Sequence, residues 1–240
     1  NYSGQLGQGD TNPRGHEAAT LGDFIGSVDL GSGQIARSIV AGAGHVCVLL
    51  NRGAVKCWGD NQFGQLGQGD NANRGDNPGE MGDSLVDVNL GFGRTAKAIS
   101  SAGNHTCAIL DNNTLKCWGY NERGQLGKGD VNSRGDEPNE MGNILSPVNV
   151  GRRRRPVSLS LGYQHTCALL DNGTIKCWGN NENGQLGQGD STDRGDNADE
   201  LGGFLPAVDL GSGRKAKVIS TLSRTVCAVL DNGTIKCWGY

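Results

Sequence analysis

Apolar residues along this chain fall in short alternating runs and form no long amphipathic stripes. In the last quarter the runs are Pro206 to Leu210, Lys215 to Ser220, Val226 to Leu230 and Thr234 to Trp238, each closed off by glycine or another turn former. A period of two between turn signals predicts β-strands, and here it predicts four short antiparallel strands per unit. The unit recurs. Cys-Trp-Gly begins at Cys57, Cys117, Cys177 and Cys237, a second cysteine precedes each at Cys47, Cys107, Cys167 and Cys227, and Gly-Gln-Leu-Gly begins at Gly4, Gly64, Gly124 and Gly184. The period is 60 residues throughout, which divides the chain into 1–60, 61–120, 121–180 and 181–240. Reading from Trp238-Gly239-Tyr240 into Asn1-Tyr2-Ser3-Gly4 continues the period in register, so the chain is cut at an arbitrary phase and fits a piece of a longer array as well as a complete one.

The last two runs of a unit are joined by sequences such as Asp231-Asn232-Gly233, which suit a three-residue hairpin loop with glycine in the left-handed position. With the loop centred on Asn172, Leu169 faces Ile175 and Cys167 faces Cys177, in the non-hydrogen-bonded pairing where side chains come closest. That opposition predicts four cross-strand disulfides, each closing a short loop and contributing about 2–3 kcal/mol, in an oxidising compartment. Eight free buried cysteines are the alternative. Zinc fits less well, because nine residues separate each pair and the histidine two positions before a cysteine (His45, His105, His165) becomes Thr225 in the fourth unit.

Composition supports many small cores over one large one, since glycine fills 41 of 240 positions and only 35% of residues are hydrophobic. A net charge of -3 with interspersed signs argues against a nucleic-acid partner. No apolar run is long enough to span a bilayer, and no charged start followed by an apolar run marks a secretion signal. Because the chain starts at Asn1, a removed signal remains compatible with secretion.

The stretch His165-Thr166-Cys167-Ala168-Leu169-Leu170, continued by Asn172 to Gly179 and by Asn181-Glu182-Asn183-Gly184-Gln185-Leu186-Gly187, closely resembles the regulator-of-chromosome-condensation propeller repeat. The resemblance recurs over the whole chain. It implies an all-β fold of four-stranded propeller blades, whose boundaries are offset from the sequence repeats by strand exchange between the termini. Complete rings in that family have more than four blades, so a closed ring, a fragment and a head-to-tail filament all stay open. The best-known member is an exchange factor for a small GTPase, but the unbroken spacing here has no inserted wedge and the paired cysteines are foreign to a nucleus. Secreted relatives that bind proteins, including an inhibitor of β-lactamase, suit the cysteines better.

Candidate chemistry recurs with the repeat, which disfavours an enzyme, since catalysis needs an asymmetric cluster; no catalytic residue is assigned. After Gly-Gln-Leu-Gly an acidic loop carries Asp70, Asn73, Asp76 and Glu80, then Asp130, Asn132, Asp136 and Glu140, then Asp190, Asp193, Asp196 and Glu200, with His16 at the third position in the first unit. These oxygens could ligate calcium or simply make turns. No other cofactor is expected. Arg-Gly-Asp lies inside the loop at Arg74, Arg134 and Arg194, readable by an integrin-type receptor or forming a salt-bridged turn. Asn1, Asn104, Asn112, Asn172 and Asn232 begin glycan acceptor sequences, although Asn-Gly-Thr is also ordinary turn chemistry. Arg152 to Arg155 form the one basic run, either a solvated loop or a site for an acidic partner surface. The expectation is an extracellular or cell-surface structural scaffold that binds a protein or copies of itself, with a discrete protein-binding propeller as the alternative.

Overall fold

The computed structural model describes residues 1–240 and contains four three-stranded antiparallel sheets in chain order. The first comprises β1 (Ala36–Ala41), β2 (His45–Leu50) and β3 (Val55–Gly59). The second comprises β4 (Ala96–Ala102), β5 (His105–Leu110) and β6 (Leu115–Gly119). The third comprises β7 (Pro156–Leu161), β8 (His165–Leu170) and β9 (Ile175–Gly179). The fourth comprises β10 (Ala216–Leu222), β11 (Thr225–Leu230) and β12 (Ile235–Gly239). No helix is long and apolar enough to cross a membrane.

The hairpins form as their loops dictate. Gly53, Gly173 and Gly233 hold φ of 81°, 81° and 83°, and Asn113 occupies the same left-handed position at 64°. Each loop sets a register in which cysteine faces cysteine, and all four pairs are bonded with Cα atoms 4.1 Å apart. No cysteine is free.

The count of four strands per unit is corrected to three. The run Pro206 to Leu210, like residues 86–90 and 146–150, is extended but joins no ladder. Its hydrogen-bonding groups go to several partners. Val88 N donates to Val55 O at 2.8 Å, in the sheet before it, while Asn89 O accepts from Gly142 N in the loop after the next sheet. Leu90 O accepts from the Lys116 ammonium at 3.0 Å, and the Asn89 side chain turns back to cap Gly91 N. The segment therefore splices two sheets together and extends neither.

The period-two pattern gives every sheet two apolar faces. In β5, Cys107 and Ile109 look towards the following blade, while Ala108 and Leu110 look back at the preceding one. Each interblade core thus combines the disulfide face of one blade, the splice between them and the tryptophan face of the next. Between the first two blades these parts are Cys47, Leu49, Val55 and Cys57, then Leu66, Val88 and Leu90, then Ala96, Ala108, Leu110 and Trp118. The motif Gly-Gln-Leu-Gly supplies the lock. Leu66, Leu126 and Leu186 are fully buried. The indole N–H of Trp58, Trp118, Trp178 and Trp238 donates to Gln5, Gln65, Gln125 and Gln185 O, each at 3.0 Å. The closing glycine of the motif lies against that ring, where a Cβ on Gly67 would come within 2.9 Å of the Trp118 nitrogen.

Candidate interaction surface

Two of the buried histidines and most acidic-loop carboxylates are engaged within the fold, and in the basic run Arg154 alone is paired. His45 and His105 begin β2 and β5, are buried, and place Nε2 2.9 Å from the hydroxyls of Thr106 and Thr166 on the next blade. Burial pushes their imidazoles down to about 4 and about 3, so they are neutral struts. At the position equivalent to Thr106 and Thr166 the fourth blade has Val226, and both ring nitrogens of His165 are buried without a partner.

In the acidic loops, the carboxylates of Asp10, Asp70, Asp130 and Asp190 pair with the arginine four residues on, at 2.7 Å in every unit. Asp70 Oδ1 also accepts from Ala72 N, and Glu80 Oε2 accepts from the N–H groups of Gly75 and Asn77. Asn73 Oδ1 accepts from Asn61 N. Asp70 and Glu80 thus cap their own turn, and no group of three His, Cys, Asp or Glu side chains converges to metal-holding distance. Glu140 and Glu200 repeat the Glu80 arrangement, and Thr20 replaces it in the first unit by accepting from Gly15 N at 2.9 Å. Burial, and then the adjacent glutamate, push Asp76, Asp136 and Asp196 up, and each keeps one buried carboxylate oxygen without a partner. Arg-Gly-Asp is correspondingly withdrawn. Arg74 bridges backbone to backbone with Gly59, and Gly75 is buried against the Gly4 loop.

The hairpin-tip asparagines Asn112, Asn172 and Asn232 accept from the N–H and hydroxyl of the threonine two residues on. Asn1 is engaged differently, donating to the carbonyls of Asp10 and Asn12. Asn104 is half-buried. In the basic run Arg154 pairs with Asp171 at 3.2 Å, as Arg94 does with Asp111, whereas Arg152, Arg153 and Arg155 are exposed. Lys56 and Lys116 escaped notice in the sequence. Their ammonium groups are buried and donate to two loop carbonyls each, those of Leu30 and Gly82 and those of Leu90 and Gly142. The signal was a lysine inside each Lys-Cys-Trp-Gly, between residues that both face cores.

The two ends of the arc differ from every internal junction. Ile235 is 65% exposed, whereas its equivalents Val55, Leu115 and Ile175 are at most 1% exposed. Cys237 is exposed and Cys227 half-buried, although the other six cysteines are fully buried. Gly184 and Gly189 meet nothing, while Gly64 packs on Gly135 and Asp136 of the following loop and Gly69 N donates to Gly135 O. At the other end, Val28 and Leu30 pack with Trp58, Met81 and Leu85, and Leu6 is exposed where its three equivalents are buried. The tail shows the disulfide half of an interblade core and the head shows the splice half.

The regulator of chromosome condensation (RCC1) repeat is matched at residues 36–65, 96–125 and 157–185, and in a second description of the same repeat at 52–109 and 115–169. Together these run without a gap from residue 36 to residue 185. The Arabidopsis thaliana protein "Ultraviolet-B receptor UVR8" is 30% identical over 166 residues, which are 68% of this chain and 33% of that protein. Among solved structures, human WBSCR16 superposes with a TM-score of 0.67 at 18% identity, over 89% of this chain and 50% of that one. Prp20p from Saccharomyces cerevisiae superposes with a TM-score of 0.62 at 20% identity, over 85% of this chain and 44% of that one. The structural likenesses speak to fold, and the chain spans half or less of each of these proteins.

Two outcomes follow from the buried histidines. Burial holds His165 down at about 4, below the ordinary 6.5 of an unfolded chain, so the unfolded state binds more protons between those values. The stability this neutral histidine lends is present above pH 6.5 and drains away as pH falls towards 4. His165→Gln should flatten the plot of unfolding free energy against pH in that window by up to about 1.4 kcal/mol per pH unit, one proton's worth, measured by denaturant titration. Val226→Thr should give His165 the hydroxyl it lacks and raise stability by about 1 kcal/mol at neutral pH. The gain should vanish in the His165→Gln background if that contact is its source.

Proposed function

The chain belongs to the regulator of chromosome condensation repeat family, and from that premise we propose that it is an extracellular scaffold whose blades join copies head to tail. The coarser part, a protein-interaction propeller scaffold, follows from family and fold. The assembly is supported by one observation, the match between the disulfide face of the fourth blade and the splice of the first, a match that a further repeat of the same period would also make.

Three internal junctions specify what covers such a face. A following unit brings a leucine from Gly-Gln-Leu-Gly, two apolar residues of the splice and one backbone N–H, as Val88 N, Val148 N and Val208 N donate to Val55, Leu115 and Ile175 O. The head of a second copy carries the same set in Leu6, Val28 and Leu30, with Val28 N placed to meet Ile235 O. Polar matching is compatible with the same contact. Two of the three internal junctions face histidine with threonine and the third leaves His165 unpaired, whereas the tail offers Thr225, whose hydroxyl bonds Tyr240 O, and the head offers Val46, so their meeting buries no unpaired imidazole. A contact that uses two different patches builds closed rings, a two-membered ring among them, or open filaments.

The extracellular reading is supported by four disulfides and no free cysteine, which belong to an oxidising compartment. Rapid alkylation of the protein in its source material, followed by mass analysis, should find all eight cysteines protected; modified cysteines would place it in a reducing compartment. In sedimentation velocity the average mass should rise with protein concentration, and Ile235→Asp, at an exposed position that leaves the blade intact, should hold the chain monomeric. A wild-type chain that stays monomeric up to millimolar concentration would remove the assembly and leave a discrete protein binder.

A further inference from the structure

One junction between neighbouring blades carries a cluster of rings that the other two lack. There Phe63, from the loop after β3, Asn104 and Tyr120, flanking β5 and β6, and Tyr163 and Gln164, before β8, surround a pocket of about 210 Å³. The equivalent positions one junction earlier are Ser3, Gly44, Asp60, Gly103 and Asn104, and one junction later Arg123, Gln164, Asn180, Ser223 and Arg224. Neither set contains an aromatic ring, and both junctions form without one. The fold therefore does not require the three rings, which come together only here.

The rings are partly exposed. Phe63 and Tyr120 stand with centroids 4.6 Å apart and planes inclined at 55°, and Tyr163 is half exposed. Tyr120 donates its phenol to Glu122, and burial together with that bond pushes the phenol up to about 12, so it keeps its proton. The far side of the Phe63–Tyr120 pair lines a larger cleft with five acidic side chains, Glu122 among them, against Lys128 and Arg134. Arg134 is already paired with Asp130, and the nearby Arg123 is held by Glu182 and Asp193. The carboxylates lining this cleft outnumber its two cations. Aromatic faces attract a cation that sheds its water cheaply, and the surplus of carboxylates behind them favours that cation over a neutral group of the same shape.

We propose that the pocket formed by Phe63, Tyr120 and Tyr163 binds a quaternary ammonium group. The rings supply the faces, Asn104 and Gln164 bound the mouth, and Glu122 adds charge from behind Tyr120. The site lies on the loop face and uses neither the head nor the tail, so it stands whether or not copies assemble.

The probes are choline and its neutral isostere 3,3-dimethylbutan-1-ol, titrated into the full chain while amide chemical shifts are followed. Choline should shift the amides of Asn104, Tyr163 and Gln164 and bind at least tenfold more tightly than the isostere. Tyr163→Ala, at a half-exposed turn position, should abolish the shifts while leaving the melting temperature in place. Glu122→Gln should weaken choline severalfold and leave the isostere unaffected. Equal binding of the two probes, no shift at millimolar choline, or choline shifts that survive Tyr163→Ala would each overturn the proposal.

Discussion

Every blade is tied to the segment before it by one hydrogen bond, from a tryptophan indole N–H to the carbonyl of the glutamine in Gly-Gln-Leu-Gly. An indole buried without a partner would be costly, and a glutamine carbonyl in an irregular loop would be equally so; each satisfies the other. The bond needs the ring close to the backbone, which is why glycine closes the motif at Gly7, Gly67, Gly127 and Gly187. It also needs the loop held in one shape. Asn61, Asn121 and Asn181, fully buried, do this by accepting from Leu66, Leu126 and Leu186 N and donating to the carbonyls of Asp70, Asp130 and Asp190.

Polar groups at the junctions follow the same logic. A buried ammonium such as that of Lys116 is tolerable because two carbonyls receive it, and burial still pushes its pKa down. His45 and His105 stay neutral and bridge blades through threonine, while His165 shows what remains when the hydroxyl is absent. The acidic loops belong to this economy as well. Their carboxylates terminate turns that stack on the next unit's turns, so the four units form a continuous strip along the arc, with free positions only at its ends.

The hairpin register was legible because it is local: a three-residue loop with a left-handed residue leaves one pairing, and cysteine then faces cysteine. Two readings went differently for one reason. Pro206 to Leu210 has strand periodicity, but its N–H and C=O groups answer to separate neighbours, a division that alternation along a single segment does not reveal. Arg74-Gly75-Asp76 looks like a displayed tripeptide, but Gly75 is covered by a loop some seventy residues away in sequence. Phe63, Tyr120 and Tyr163 are each unremarkable in their own repeat and form a site only because adjacent blades bring three different repeat positions to one spot.

The sequence by itself determined the period, the hairpins, the disulfide pairs and the family, because all of these are set by spacing within about sixty residues. Tertiary structure alone decided which face of each hairpin meets which neighbour, where the buried lysines and histidines discharge their hydrogen bonds, and that the disulfide face of one blade is the complement of the splice before the next. Those outcomes depend on the angle between blades, and that angle comes from how whole faces pack against each other.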